Sequence, residues 1–285
     1  MAGALVAAAL ALLAAAALAG FGPRLKPGLK SKRVLSTKSV SISGVDHPQR
    51  YQVYCPRGMR PLGGGASADP PPDARGGGAY LVSSERLGQQ QGWHISMAQV
   101  GRSGTTSVKV QVLCRRYRGN IEPEEKFVKS RTYKNIGPGE TKQFTQTCPK
   151  GRELATGGYL SSHFFSNKGV YVTESRMSGE RSWTVSATGV AGGDGGQISA
   201  IAYCVGSHKP LLAEVASAPA TVSPGHNGTA TTPDCPPGKH LIAGGYNAPP
   251  TLRVFAGAFA GMDNWTASAA SYTGSGQITA YGYCL

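Results

Sequence analysis

Beyond residue 19 the chain has no long apolar run, no pair of cysteines at C-x2-C spacing and no G-x-S-x-G sequence. Its glycine-rich stretches, such as Gly76-Gly77-Gly78 and Gly192-Gly193, lack the Lys-Ser/Thr that follows a phosphate loop. These absences exclude, in turn, a membrane span in the mature chain, a clustered zinc site, the nucleophile elbow of serine hydrolases and a phosphate-binding loop. The histidines His47, His94, His163, His208, His226 and His240 are scattered, with no two at metal-ligand spacing. No nucleic-acid-binding motif is present. The chain is therefore expected to hold no metal or cofactor and to do no catalysis. Acidic side chains are scarce too, with 15 Asp and Glu against 29 Lys and Arg.

That imbalance is concentrated at one end. Residues 20–134 carry 20 Lys/Arg and 7 Asp/Glu, residues 135–211 carry 7 and 5, and residues 212–285 carry 2 and 3. A basic region of this kind attracts polyanions or an anionic surface. The candidate contacts are Arg24, Lys26, Lys30, Lys32 and Arg33 in a basic arm, and Arg115, Arg116 and Arg118 further on. Ahead of the arm, residues 4–19 are uncharged and apolar and end in Ala17-Leu18-Ala19. That run is too short to span a bilayer and reads as a secretory signal peptide, residues 1–19, although no basic residue precedes it.

What the chain does have is one phrase written three times. It reads CPRG…GG…W…LC from Cys55 to Cys114, CPKG…GGY…W…YC from Cys148 to Cys204, and CPPG…GGY…W…YC from Cys235 to Cys284. In every copy the paired glycines fall nine and ten residues after the first cysteine: Gly64-Gly65, Gly157-Gly158 and Gly244-Gly245. The closing cysteine follows Trp93, Trp183 and Trp265 by 21, 21 and 19 residues. Length varies only between the glycines and the tryptophan, where loops tolerate insertion. Such register marks an internal repeat. Threefold repetition singles out the pairs Cys55–Cys114, Cys148–Cys204 and Cys235–Cys284 among the connectivities that six cysteines allow. Each loop closure is worth roughly 4 kcal/mol on the chain-entropy model, and the pairs imply an oxidising compartment.

Glycine and proline, 40 and 19 residues, are spread among short apolar runs, which favours strands and tight turns over long helices. The Val108–Cys114 stretch alternates cleanly with period two, as do shorter stretches at Val40–Ser43, Tyr51–Tyr54, Val170–Thr173 and Trp183–Ala187. The expected fold is all-β, with three internal repeats closing as a pseudo-threefold β-prism, one disulfide to each; the alternative is three tandem small β-sandwiches. The divisions are the signal peptide 1–19, a flexible basic arm 20–35, and repeats over 36–134, 135–211 and 212–285. The stretch Ala66–Ala79, rich in proline and glycine, reads as a solvent-exposed excursion, and the mixed-charge stretch Arg115–Lys134 as a solvated link or edge strand.

The CPxG…GG…WxV…YxxC phrase resembles a disulfide-stapled β module that recurs in exported actinobacterial proteins and in collagen-like or fibre-like surface proteins. The resemblance covers most of residues 36–285 and implies secretion, with no established activity. Glu85 and Glu174 lie beside Arg86 and Arg176, each Arg seven residues before its Trp, which reads as surface ion pairing. The expected function is a secreted or cell-wall-associated, non-catalytic binding protein, lectin-like, for neutral or anionic polysaccharide. The alternatives are a structural surface or matrix protein, and a protein docking on a polyanion through its basic third.

Overall fold

The computed structural model describes residues 33–44, 48–88, 91–101, 104–116, 128–161, 169–206 and 212–285. The expected signal peptide, most of the basic arm (with Arg24, Lys26, Lys30 and Lys32) and Arg118 lie outside them. Residues 32–285 hold together as one unit, built of strands with no helix among the described residues.

The first segment supplies β1 (Arg33–Ser43), β2 (Gln49–Tyr54), β3 (Met59–Asp69), β4 (Gly78–Leu87), β5 (Gly92–Val100) and β6 (Thr105–Arg116). The second supplies β7 (Val128–Ile136), β8 (Thr141–Thr147), β9 (Arg152–Ser161), β10 (Val170–Gly179), β11 (Ser182–Gly189) and β12 (Gly196–Gly206). The third supplies β13 (Ala213–Ala216), β14 (Ala220–Val222), β15 (Asn227–Thr231), β16 (Leu241–Asn247), β17 (Leu252–Phe259), β18 (Trp265–Ser271) and β19 (Gly276–Cys284).

These strands form three sheets, ordered β1-β6-β3-β17-β18-β15, β2-β5-β4-β9-β12-β7 and β13-β19-β16-β10-β11-β8, with β14 on the side of β19. Every sheet is shared between two segments. The first segment gives β1, β3 and β6 to one sheet and β2, β4 and β5 to another, and the other two segments divide in the same manner. This corrects the alternative of three separate sandwiches on a string, because no segment completes a sheet by itself.

Within each sheet the two halves meet along a very short seam. Ser84 pairs with Tyr159, Ser175 with Tyr246, and Gly257 with Ala66. The glycine pairs explain how such seams close. A Cβ on the second glycine of a pair would run into backbone across the seam: Gly65 into the Gly257 carbonyl, Gly158 into that of Ser84, Gly245 into that of Ser175. A Cβ on the first glycine would run into an indole of a different sheet: Gly64 into Trp93, Gly157 into Trp183, Gly244 into Trp265. One glycine thus joins half-sheets and the other lets two sheets meet. The three tryptophans converge on one small cavity of about 20 Å³ at the centre, beside Tyr159 and Tyr246.

Polar atoms at the centre are satisfied across segments. The backbone N–H of Arg86 donates to the Tyr203 hydroxyl (2.8 Å), that of Met177 to the Tyr283 hydroxyl (2.8 Å), and that of Phe259 to Gln111 Oε1 (3.0 Å). First segment leans on second, second on third, and third on first. Where the first segment has Leu113 in place of a tyrosine, Gln111 provides the acceptor. Trp93 Nε1 donates to Ser84 Oγ (2.9 Å) and Trp183 Nε1 to Ser175 Oγ (3.1 Å). Trp265 Nε1 is buried without a partner among the described residues, because the seam position facing it is Gly257.

That defect carries a prediction. A Cβ on Gly257 would sit 3.5 Å from Trp265 and Tyr246, ordinary van der Waals contact. Gly257→Ser should give the indole N–H an acceptor and restrict the unfolded chain. Thermal denaturation is expected to show a gain of about 1–2 kcal/mol, or roughly 3–6 °C in Tm for a domain of this size; a lower Tm would show that the serine does not reach the indole.

Two sequence expectations change and one of two alternatives is selected. β1 begins at Arg33, well before the Val40–Ser43 alternation that marks it in the sequence. The Ala66–Ala79 excursion begins and ends as strand, in β3 to Asp69 and β4 from Gly78, and the stretch between is pinned: Asp73 Oδ1 accepts from the N–H groups of Arg75 (2.9 Å) and Gly77 (2.8 Å), and Asn227 Nδ2 donates to the buried Pro72 carbonyl (2.8 Å). Of the two readings of the mixed-charge connector, the edge strand holds at its end, where β7 pairs with β12 from Val128 to Ile136.

Candidate functional site

All three cysteine pairs are bonded as expected, with Cα–Cα distances of 5.6, 5.6 and 5.8 Å. No free cysteine exists among the described residues to act as a nucleophile.

An open groove lies on the sheet shared by the second and third segments. It has a volume of about 460 Å³ and is lined by Thr141, Thr173, Ser186, Asn247, Gln277 and Thr279, with Ala248, Pro249 and Pro250 as its apolar wall. The wall is fixed by two bonds to β10: Ala248 N–H donates to the Thr173 carbonyl (2.8 Å), and the Tyr171 hydroxyl donates to the Pro250 carbonyl (2.7 Å). Strand register sets the floor. Thr279 stands opposite Asn247, Asn247 opposite Glu174, Glu174 opposite Ser186, and Ser186 opposite Gln143, one polar row across five strands.

Glu174 is the anchor of that row. It is only 4 % exposed, so its charge needs partners. Arg176 Nε donates to Oε1 (2.7 Å), while Gln143 Nε2 (2.8 Å) and Ser186 Oγ donate to Oε2. The Arg176 guanidinium in turn lies 5.4 Å from the Tyr281 ring centroid. It also faces Glu214, whose carboxyl burial pushes above the usual range against the pull of Arg176. The Glu174–Arg176 pair therefore exists with its carboxylate buried and its guanidinium part-exposed, not as the surface ion pair of the sequence reading.

Seam register also corrects the match of Arg86 with Arg176. Counting from Ser84 and Ser175, Arg86 corresponds to Met177, and Arg176 to Glu85 and Ala258. On the same count, Glu174 stands where the other sheets carry Ser83 and Ala256. The scaffold accommodates a hydroxyl or a methyl there, so the carboxylate is peculiar to this face and not required by the repeat.

Glu85 belongs to a different trio. His94 Nδ1 lies 3.4 Å from Glu85 Oε1, and His94 Nε2 lies 3.2 Å from Ser96 Oγ. The order Glu–His–Ser is that of a hydrolytic triad. With Ser96 4 % and His94 7 % exposed, the hydroxyl is closed to a substrate carbonyl, and the trio reads as a buried polar brace between β4 and β5.

The basic candidates divide. Arg33, with its side chain 12 % exposed, is turned inward: it pairs with Asp263 (3.2 Å), donates to the Met262 carbonyl (3.1 Å) and meets His240 Nδ1 (2.8 Å). It ties β1 to the third segment rather than leading a free arm. Arg115 stands opposite both Arg33 and Arg60, a row of three arginines across β1, β6 and β3, with exposed Arg116 beside them. Arg60 was not foreseen, since nothing in the sequence shows that residues 33, 60 and 115 are neighbours.

The groove residues were not foreseen either. They are ordinary Thr, Ser, Asn and Gln drawn from five strands. Among the described residues no group of His, Cys, Asp and Glu is disposed to hold a metal ion, and no helix is long and apolar enough to cross a membrane. Chemically, the groove offers hydroxyl and amide groups that donate and accept, beside two proline rings. No protein-family profile matches the chain, and no curated protein matches its sequence.

Proposed function

We propose that this is a secreted, non-catalytic binding protein whose three repeats close as a pseudo-threefold β-prism, and that it takes a polysaccharide chain in the groove of the sheet shared by its second and third segments. The observation that carries this reading is the groove lining. Neutral hydrogen-bonding side chains on a rigid sheet, with proline rings at one edge, suit a polyhydroxylated ligand of alternating polar and apolar faces. The disulfides fit an oxidising, extracellular setting. Cyclic sharing of strands supports the prism, since it covers edges that separate units would expose.

The test is a glycan array followed by titration of the best ligand in moderate salt. Asn247→Ala/Gln277→Ala should weaken binding at least tenfold, about 1.4 kcal/mol or more, with Tm unchanged. Failure to bind any glycan sinks the proposal. Exposed Arg116 beside Arg115 and Arg60 on β6 and β3 favours a second reading, docking on an anionic surface. In the same titration, binding that collapses as salt rises and ignores the double variant selects that reading.

A further inference from the structure

The seam positions expose one substitution that the scaffold does not explain. Four residues before Ser84, Ser175 and Gly257 stand Tyr80, Tyr171 and Arg253. The two tyrosines finish their hydrogen bonding on loop backbone: Tyr80 on the Gly76 carbonyl (3.1 Å) and Tyr171 on the Pro250 carbonyl (2.7 Å). In the third segment the position is a guanidinium. It lies 5.3 Å from the Tyr171 ring centroid and 4.9 Å from that of Tyr272, packed beside an apolar cluster that includes Tyr80, Val82, Phe255 and Ala270.

Arg253 is partly buried, and that burial pulls its pKa downward. Among the described residues no carboxylate and no hydrogen-bond acceptor meets it. Asp73 acts on Tyr272, raising its pKa, and one of its carboxylate oxygens accepts from the Arg75 and Gly77 N–H groups. Ring faces offset part of the cost of burying a cation. They leave the in-plane N–H fork of the guanidinium without an acceptor, and that fork matches a carboxylate in bidentate fashion.

Its place in the fold connects it to the groove. Pro250 is part of the groove wall, Tyr171 holds the Pro250 carbonyl, and Arg253 lies against Tyr171. Through these contacts Arg253 stands one side chain away from the residue that holds the groove wall.

We propose that Arg253 is a specificity residue of this groove and that the ligand is an acidic polysaccharide carrying carboxylate groups, as a hexuronate chain does. This rests on the glycan reading above and narrows it. Hydroxyl and amide groups of the groove hold the sugar backbone, and Arg253 reads the acid. A lysine at the same place keeps the charge and loses the fork.

The experiment titrates the full chain with an oligogalacturonate and with its methyl ester, which keeps the sugar and removes the charge. The wild type should bind the free acid at least tenfold more tightly. Arg253→Met, close in volume, should abolish that preference while binding of the ester persists; Arg253→Lys should retain part of it. Arg115→Gln/Arg116→Gln should leave the preference intact. Equal binding of acid and ester by the wild type overturns the inference and leaves the glycan reading standing. So does a preference that survives Arg253→Met or disappears with the Arg115/Arg116 pair. No binding of either oligomer overturns this inference for hexuronates, and a blank glycan array overturns the broader reading with it. Melting curves on both Arg253 variants separate lost binding from lost fold.

Discussion

Gly157→Ala is expected to cost at least about 3 kcal/mol and to lower Tm by roughly 10 °C. The added methyl would overlap the Trp183 indole, lying 2.6 Å from Cε2, and neither partner has room to yield. Trp183 is 2 % exposed and held by Ser175 through its indole N–H. Gly157 sits on β9 in one sheet and Trp183 on β11 in the next, so relief requires two sheets to part. Close-packed interiors transmit such strain instead of absorbing it. Gly64→Ala and Gly244→Ala meet Trp93 and Trp265 in the same manner and should behave alike. The control is Gly88→Ala, where nothing lies within 4 Å of the new methyl and no change beyond about 0.5 kcal/mol is expected. Urea denaturation of the four variants settles the matter, and a Gly157→Ala protein as stable as the Gly88→Ala protein would show that the glycine is not there for the indole.

This explains why the scaffold was legible in the sequence. Cysteine, glycine pair and tryptophan hold fixed spacing because each answers a steric demand at one place: indole on backbone, backbone on backbone, sulfur on sulfur. Alternation identified the strands wherever both faces differ, as in β6 and β11. It failed where side chains are small on both faces. β3 carries Gly63, Gly64, Gly65, Ala66 and Ala68 within a strand and gives no periodic signal. β8 and β15 alternate threonine with a single buried Phe144 or Ala230, too little apolar character for the pattern to stand out.

The groove was illegible for a different reason. Its residues are common polar types whose meaning comes from cross-strand neighbours, and register is not written in any one strand. Comparison of copies could have helped, but only with the right alignment. Trp93 follows its seam residue Ser84 by one residue more than Trp183 follows Ser175, so counting back from tryptophan placed Arg86 on Arg176. Counting from the seam, Val82-Ser83, Thr173-Glu174 and Phe255-Ala256 occupy the same place. The middle pair then stands out as polar and charged where the others are apolar or small. Tyr80, Tyr171 and Arg253 fall into line on the same count. What distinguishes the faces chemically is held in those few departures.

The centre of the molecule should also fail at high pH. Tyr246 donates to the Tyr159 hydroxyl (2.9 Å), and Tyr283 accepts from the Met177 N–H (2.8 Å). All three tyrosines are at most 3 % exposed. Burial holds each phenol above its ordinary 10.0, most of all for Tyr159 and Tyr283, and at Tyr159 the neighbouring Tyr246 adds to it. In the unfolded chain the same groups ionise near pH 10. Above that pH the unfolded chain binds fewer protons than the folded one, so stability falls as pH rises; below it these groups contribute no pH dependence. Each tyrosine that stays neutral in the fold removes about 1.4 kcal/mol per pH unit, so the three together remove on the order of 8 kcal/mol by pH 12. That is comparable to the whole stability of a typical domain. Urea titrations at intervals from pH 8 to 12, read by tryptophan fluorescence, should give a plateau and then a steep decline. Tyr159→Phe/Tyr246→Phe replaces both partners of one buried bond with matching rings, a change that is near neutral at pH 8. It should reduce the slope by about 2.8 kcal/mol per pH unit, the share of its two phenols, and leave the share of Tyr283 and of Tyr51, Tyr171 and Tyr272, which burial also raises. A double variant that declines as steeply as the wild type would mean that the central hydroxyls are not what alkali attacks.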